Sequence, residues 1–241
     1  MSRADAVTLV TFDLDNTLWS VRKVIGNAEA RMREHLAAAL PDFNDHFTRD
    51  TLWRTREALL PVYPHIRHDL TAMRERVLEH ALTEFGVAQS TAATLARSAT
   101  QAFLDGRHEV EFFPHALDTL AKLSQRYTLA ALSNGNADIG RLGLDRYFSF
   151  SCSAADAGAS KPAPAMFQQA LQRAGVAATA AAHVGDHPVD DIQGARDVGM
   201  HTVLVELDGV EPHPGTIGQE ADASARVTCL SELPAVLDAL R

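Results

Sequence analysis

The chain has 241 residues, 46% of them hydrophobic and 22% charged, with a formal net charge of −9. That length holds one large domain, or a core domain carrying a smaller insert, and is ample for a sizeable core. The acidic balance excludes a protein that coats nucleic acid or an anionic membrane, since both need a basic footprint; a small anionic substrate needs only a local cluster of cations.

Cys152 and Cys229 are the only cysteines. They form neither a disulfide framework nor a zinc-binding spacing, and read as free thiols in a reducing compartment. The apolar run before Asp13 is too short for the core of a signal peptide, and no run approaches a membrane span. The expected localisation is cytoplasmic.

In chain order, Thr8 to Phe12 reads as a short buried strand, apolar and β-branched, ending in acids. From about Val21 the composition turns to Ala, Leu, Arg and Glu. Leu70, Met73, Val77, Leu78 and Ala81 recur at helical spacing, which predicts several helices with turns near Pro41–Asn44, Pro61–Pro64 and Gly86–Ser90. After Phe112 the pattern alternates. A helix is predicted from Pro114 in its first turn, then the strand YTLAALSN and a helix from Pro162 that Gly175 caps. The strand AAAHVGD, the helix DDIQGARDVG and the strand HTVLVEL follow. A last helix has Ser231 as N-cap candidate. Glu211 to Ala225 reads as a polar surface loop.

Strands alternating with helices imply an α/β fold with a doubly wound parallel sheet, and the all-helical stretch then reads as an insert after the first strand. Ligands of such sheets bind beyond the carboxyl ends of the strands. Asp13 and Asp15 follow the first strand, Ser133 and Asn134 end the second, and Asp186, Asp190 and Asp191 follow a later one. Lys161 starts the helix before that later strand.

Asp13 and Asp15 could divide the work of nucleophile and general acid/base. Asp13, Asp186 and Asp191 could form a cluster of hard oxygen donors suited to magnesium rather than zinc. Asp190 reads equally as a helix cap, a reading that suits Asp191 less. Crowded carboxylates would take up protons unless a cation offset them, and one magnesium ion with Lys161 offsets most of that charge. The Ser133 hydroxyl and the backbone N–H groups after it, beginning at Asn134, could hold phosphate oxygens. His183, inside a strand, reads as a packing residue, and His187 as a residue that shapes its loop.

FDLDNTL, LSNG, SKP and VGDHPVDD, in this order, resemble the four motifs of the haloacid dehalogenase-like hydrolase superfamily. The resemblance covers nearly the whole chain. It implies a Rossmann-like core of residues 1–20 and 108–241 with a helical cap of residues 21–107. It implies a magnesium-dependent phosphatase acting on small phosphorylated metabolites. The sequence leaves monomer or homodimer open, and the acidic charge speaks against nucleic acid or membrane as partner. Asp13 matches the nucleophile, Asp15 the acid/base, Ser133 the phosphate-binding hydroxyl and Lys161 the charge-balancing lysine. Asp186 matches a magnesium ligand and Asp191 the acid that supports the metal site, while the backbone carbonyl of Asp15 is implied as a further ligand.

Halide leaves without a proton, whereas an alkoxide needs a general acid. The presence of Asp15 therefore points to phosphoester hydrolysis over dehalogenation; phosphomutases of the superfamily also keep this aspartate. SNGNADIGRLGLDRYFSF and the stretch Tyr63–Asp69 are similar to the bacterial branch that dephosphorylates flavin mononucleotide and a riboflavin precursor. Cap crossings near residues 18–22 and 105–114 are hinge candidates, with Gly106 supplying backbone freedom. Trp19, Arg67, His68 and Arg74 are candidate substrate contacts. The readings from other classes are an aspartyl-phosphate signalling module, which is expected to be shorter and to use a later strand, and a phosphate-binding protein without turnover.

Overall fold

The computed structural model describes residues 6–207, 210 and 221–240. Of the predicted loop 211–225, residues 211–220 lie outside the described residues. The chain divides into two compact units, Met1–Val21 with Val110–Arg241, and Arg22–Glu109.

The first unit is a Rossmann-like, six-stranded sheet with flanking helices. Its strands are β1 (Leu9–Phe12), β2 (Thr128–Ser133), β3 (Phe150–Ser153), β4 (Ala181–Gly185), β5 (His201–Val205) and β6 (Ala225–Val227), in the order β3-β2-β1-β4-β5-β6. All neighbours are parallel. β1 and β4 are buried along their whole length, as their apolar sequences LVTF and AAHVG require of central strands covered on both faces. The chain winds outward from β1 through β2 to β3, then returns to β4 and winds the other way. That reversal sets the ends of β1 and β4 side by side, with Phe12 opposite Val184, at the kind of switch point where such sheets bind ligands.

The helices of this unit are α6 (Ala116–Leu123), α7 (Ala154–Ala157), α8 (Ala165–Ala174), α9 (Gly194–Asp197) and α10 (Leu233–Ala239). α8 lays Met166, Phe167 and Ala170 into a core with Leu9, Ala130 and Leu132, and ends at Gly175 in the left-handed conformation (φ 66°). Several local expectations are corrected. α6 begins at Ala116, two residues past Pro114, because His115 takes a left-handed φ of 67°. α10 is preceded by a 3-10 turn and Ser231 does not cap it. The helix expected over 190–199 is a π-turn at Pro188–Gln193 followed by α9. Two edge strands, β3 and β6, were not expected.

The second unit contains α1 (Val21–Ala39), α2 (Phe43–His46), α3 (Arg49–Leu59), α4 (Leu70–Glu84) and α5 (Gln89–Arg107). α4 buries Met73, Val77, Leu78, Ala81 and Leu82, and Asp69 caps it by accepting from the backbone N–H of Ala72 at 2.9 Å. Ala28, Met32, Leu36, Phe43, Leu78 and Phe103 share one core with the small residues Ala92, Ala96 and Ala99 of α5. Gly106 is not a hinge. It lies inside α5, where an added Cβ would stand 2.8 Å from the Cα of Ala28, so glycine serves close helix packing. No described helix is long and apolar enough to cross a membrane.

Candidate active site

The backbone N–H of Asp13 donates to the carbonyl of Val184 at 2.9 Å, continuing the β1–β4 pairing past the end of both strands. Asp186 follows β4 directly, and the π-turn brings Asp191 back over Gly185. Oxygens of Asp13, Asp186 and Asp191 all lie within 4.8 Å of one another. Gly185 makes the room: a Cβ there would fall 2.4 Å from the Asp191 carboxylate carbon.

Lys161 closes this cluster. Its Nζ donates to Asp13 Oδ1 at 2.7 Å, to Asp191 Oδ1 at 2.6 Å and to the Leu132 carbonyl at 2.9 Å, using all three ammonium hydrogens. The side chain is 1% exposed. Asn134 holds the lysine's backbone from both sides. The Lys161 N–H donates to Asn134 Oδ1 at 2.7 Å, and Asn134 Nδ2 donates to the Lys161 carbonyl at 3.1 Å and to Asp190 Oδ2 at 3.3 Å. Asn134, expected to hold substrate, thus braces Lys161 through its side chain.

Asp191 is held on both oxygens. Oδ2 accepts from the His187 N–H at 2.9 Å, and Oδ1 also faces His183 Nε2 at 3.1 Å. His183 Nδ1 lies 2.7 Å from Thr11 Oγ1. An ionised Asp191 only accepts, so His183 carries its proton on Nε2, and the Thr11 hydroxyl donates to Nδ1. His183 is therefore part of the site's support, a role its strand position alone did not signal. His187 caps the π-turn by accepting from the N–H groups of Val189 and Asp190 on Nδ1.

Asp15 stands apart from the three clustered carboxylates. Its Oδ1 accepts from the indole N–H of Trp19 at 2.9 Å. The turn between them depends on Asn16, which adopts φ 59° and accepts from the Val21 N–H at 3.0 Å. Trp19 is fully buried and packs edge-on against Phe112. Thr17 Oγ1 donates to Asp186 Oδ1 at 3.4 Å. Ser133 is buried at the end of β2, and its hydroxyl oxygen accepts from the Gly135 N–H at 2.9 Å. A cleft of about 220 Å³ is lined by Asp13, Asp15, Asn16, Val21, Asn134, Lys161, Asp186, His187, Asp190 and Asp191; Ser133 is not among the lining residues. Arg67, His68 and Arg74 belong to the helical unit: Arg67 is exposed, and His68 and Arg74 are half-buried.

The charges of the cluster are strongly coupled. Burial pushes the Asp13 carboxyl well above the usual carboxylate range, with Asp191 and Asp186 adding to the shift and Lys161 opposing it. Burial, with Asp191 beside it, pushes Asp186 up to about 7. Burial would raise Asp191 too, but Lys161 and His183 hold it below the usual range. Burial alone would weaken the Lys161 ammonium, yet Asp13 and Asp191 hold it above the ordinary lysine value. Burial keeps His183 neutral by lowering its value, against the pull of Asp191. Fully ionised, the three carboxylates and one ammonium would carry two net negative charges, so the oxygen donors fit a hard divalent cation in charge and in kind.

Residues 7–199 match the haloacid dehalogenase-like hydrolase family. The chain belongs to that family. This haloacid dehalogenase-like hydrolase is 31% identical over 217 residues to the 5-amino-6-(5-phospho-D-ribitylamino)uracil phosphatase of Escherichia coli (strain K12), covering 90% of this chain and 89% of that one. It is 33% identical to a phosphoserine phosphatase of Thermus thermophilus, over 88% of this chain and 83% of the relative. Among solved structures, a 2-haloacid dehalogenase from Pseudomonas syringae pv. Tomato DC3000 is 43% identical with a TM-score of 0.86, covering 96% of this chain and 98% of its own. The family assignment makes the chain a hydrolase.

Proposed function

We propose that this hydrolase cleaves phosphate monoesters of small metabolites through an aspartyl-phosphate on Asp13. The observation that carries this reading is the second carboxylate, Asp15, lining the same cleft as Asp13 while held by Trp19 outside the charged cluster. A carboxylate so placed can give a proton to a departing alkoxide, which halide does not need.

Asp13 attacks phosphorus and displaces the alcohol, which takes its proton from Asp15. Asp15, now ionised, takes a proton from the water that attacks phosphorus, freeing phosphate and Asp13. Lys161 offsets the charge of Asp13 and Asp191 so that a phosphate dianion can approach. Asn134 fixes the lysine, and the Ser133 hydroxyl with the N–H groups after it supplies donors to the phosphate oxygens. Asp13, Asp186 and Asp191, with the Asp15 carbonyl, would hold a magnesium ion, which when bound supplies Lewis-acid polarisation and neutralises phosphate charge. The helical unit is read as the family's cap and the sheet unit as its core.

The names of two relatives favour a phosphorylated small molecule, and flavin mononucleotide and the phosphorylated ribitylaminouracil are the first candidates. The test is phosphate release from these, from phosphoserine, sugar phosphates and para-nitrophenyl phosphate, with magnesium or chelator, beside Asp13→Asn. Release that needs magnesium and disappears in the variant supports the reading. The solved relative named a 2-haloacid dehalogenase favours a second reading, carbon–halogen hydrolysis by the same Asp13. Halide release from 2-chloropropionate without phosphate release from any ester would establish that one instead.

A further inference from the structure

The helical unit holds a cavity of its own, about 460 Å³, walled by α1, α3 and α4. That volume lies in the range of small-molecule sites, about 300–1,000 Å³. Its wall includes the buried apolar side chains Met32, Met73, Val77 and Leu78, and Trp53, which is 60% exposed.

Four arginines reach this cavity, and three have partners. Arg33 donates to the Phe47 carbonyl and to Asn44, Arg49 pairs with Glu29 at 3.3 Å, and Arg56 pairs with Glu57 at 2.7 Å and stacks over Trp53. Arg74 differs. Its guanidinium lies 3.5 Å from the centre of the Phe103 ring, its Nε is buried without an acceptor, and among the described residues it makes no hydrogen bond or ion pair. Burial lowers its value to about 10, Glu29 opposing and Arg56 adding, so it is still a cation at neutral pH. Apolar packing alone would be better served there by Met or Leu, because a guanidinium whose Nε is buried without an acceptor costs stability even with the Glu29 carboxylate in the same cavity wall. A planar fork of donors above an aromatic face, beside an apolar wall, matches an acid group attached to an apolar body.

We propose that this cavity binds a small organic anion, its carboxylate or phosphate group on Arg74 and its apolar body against Met73, Val77 and Leu78. Its lining shares no residue with the cleft at Asp13, and the proposal does not depend on the reaction proposed there. The test is isothermal titration of the full chain in magnesium-free buffer with benzoate, phenylphosphonate and neutral benzamide. Benzoate or phenylphosphonate is expected to bind at least about tenfold more tightly than benzamide, the scale of a charge-assisted hydrogen bond. Which of the two anions binds better assigns the acid group. Arg74→Met is expected to bring the anions down to the level of benzamide. Equal binding of all three probes to the wild-type chain, no anion binding, or anion binding undiminished in Arg74→Met would overturn the proposal. Should Arg74→Met not fold, Arg74→Gln makes the same comparison, with the same loss of anion binding expected and undiminished anion binding overturning the proposal.

Discussion

The indole N–H of Trp19 donates to Oδ1 of Asp15 at 2.9 Å, and a backbone bridge joins the same two residues. The bond holds the proposed proton donor in place without placing it among the clustered carboxylates. Trp19→Phe keeps the packing on Phe112 and removes the donor. Its kcat is expected to fall about fivefold, the worth of one hydrogen bond, with poor alkoxide leaving groups more affected than para-nitrophenolate. Steady-state rates across a leaving-group series measure this.

Asp15→Asn separates the two half-reactions. Para-nitrophenolate leaves without a proton, so this variant is expected to release a burst near one equivalent and then turn over slowly. Turnover of alkyl esters should drop by about 10²–10⁴, the usual contribution of a general acid/base. Stopped-flow absorbance with para-nitrophenyl phosphate reads the burst.

Lys161 holds Asp13 and Asp191 in a site that is almost fully buried. Lys161→Met leaves the carboxylates unbalanced and is expected to lower stability by about 3–5 kcal/mol without metal, as for breaking other buried ion pairs. Added magnesium should restore part of the loss. Lys161→Arg is not expected to rescue activity, because a guanidinium fork cannot reproduce three bonds from one point. Chemical denaturation with and without magnesium tests the stability of Lys161→Met, and phosphate release tests Lys161→Arg.

Asp186, raised to about 7, would give the proposed magnesium site a defined pH dependence. The folded, metal-free chain holds this proton more tightly than the unfolded chain does. The resulting stability is present below the ordinary carboxylate value and is lost as pH rises through about 7. Magnesium must displace the proton, so its affinity is expected to be lower at pH 6 than at pH 8, with proton release on binding. Titration calorimetry in two buffers of different ionisation enthalpy counts the protons. Gly185→Ala, whose Cβ would meet the Asp191 carboxylate, is expected to weaken magnesium binding about tenfold at either pH, as support-shell changes do.

The strand-end acids were visible in the sequence because each follows an apolar run, and an apolar run ending in Asp is a strand carrying a polar group to the sheet's edge. That β1 and β4 are neighbours was not visible, and this pairing is what brings Asp13 beside Asp186 and Asp191. His183 read as packing because its partners, Thr11 and Asp191, are supplied by an adjacent strand and by a turn that doubles back. The bracing of Lys161 by the Asn134 side chain was not legible because the bond spans 27 positions. β3 and β6 were missed because FSCS and ARV are short edge segments with little burial contrast. Gly106 read as a hinge because freedom of the backbone and absence of a Cβ are the same letter in a sequence; only Ala28 beside it tells them apart.

The central claim is that water attacks phosphorus and not the carboxyl carbon of Asp13. A single turnover in heavy-oxygen water, with enzyme in excess over its best phosphate ester, followed by mass spectrometry of the phosphate and of the peptide containing Asp13, tests it most directly. The account predicts the label in phosphate and none in Asp13. Label in the Asp13 carboxylate after turnover of a 2-haloacid, with phosphate esters left intact, would contradict it, because water would then have attacked the carboxyl carbon of an alkyl ester.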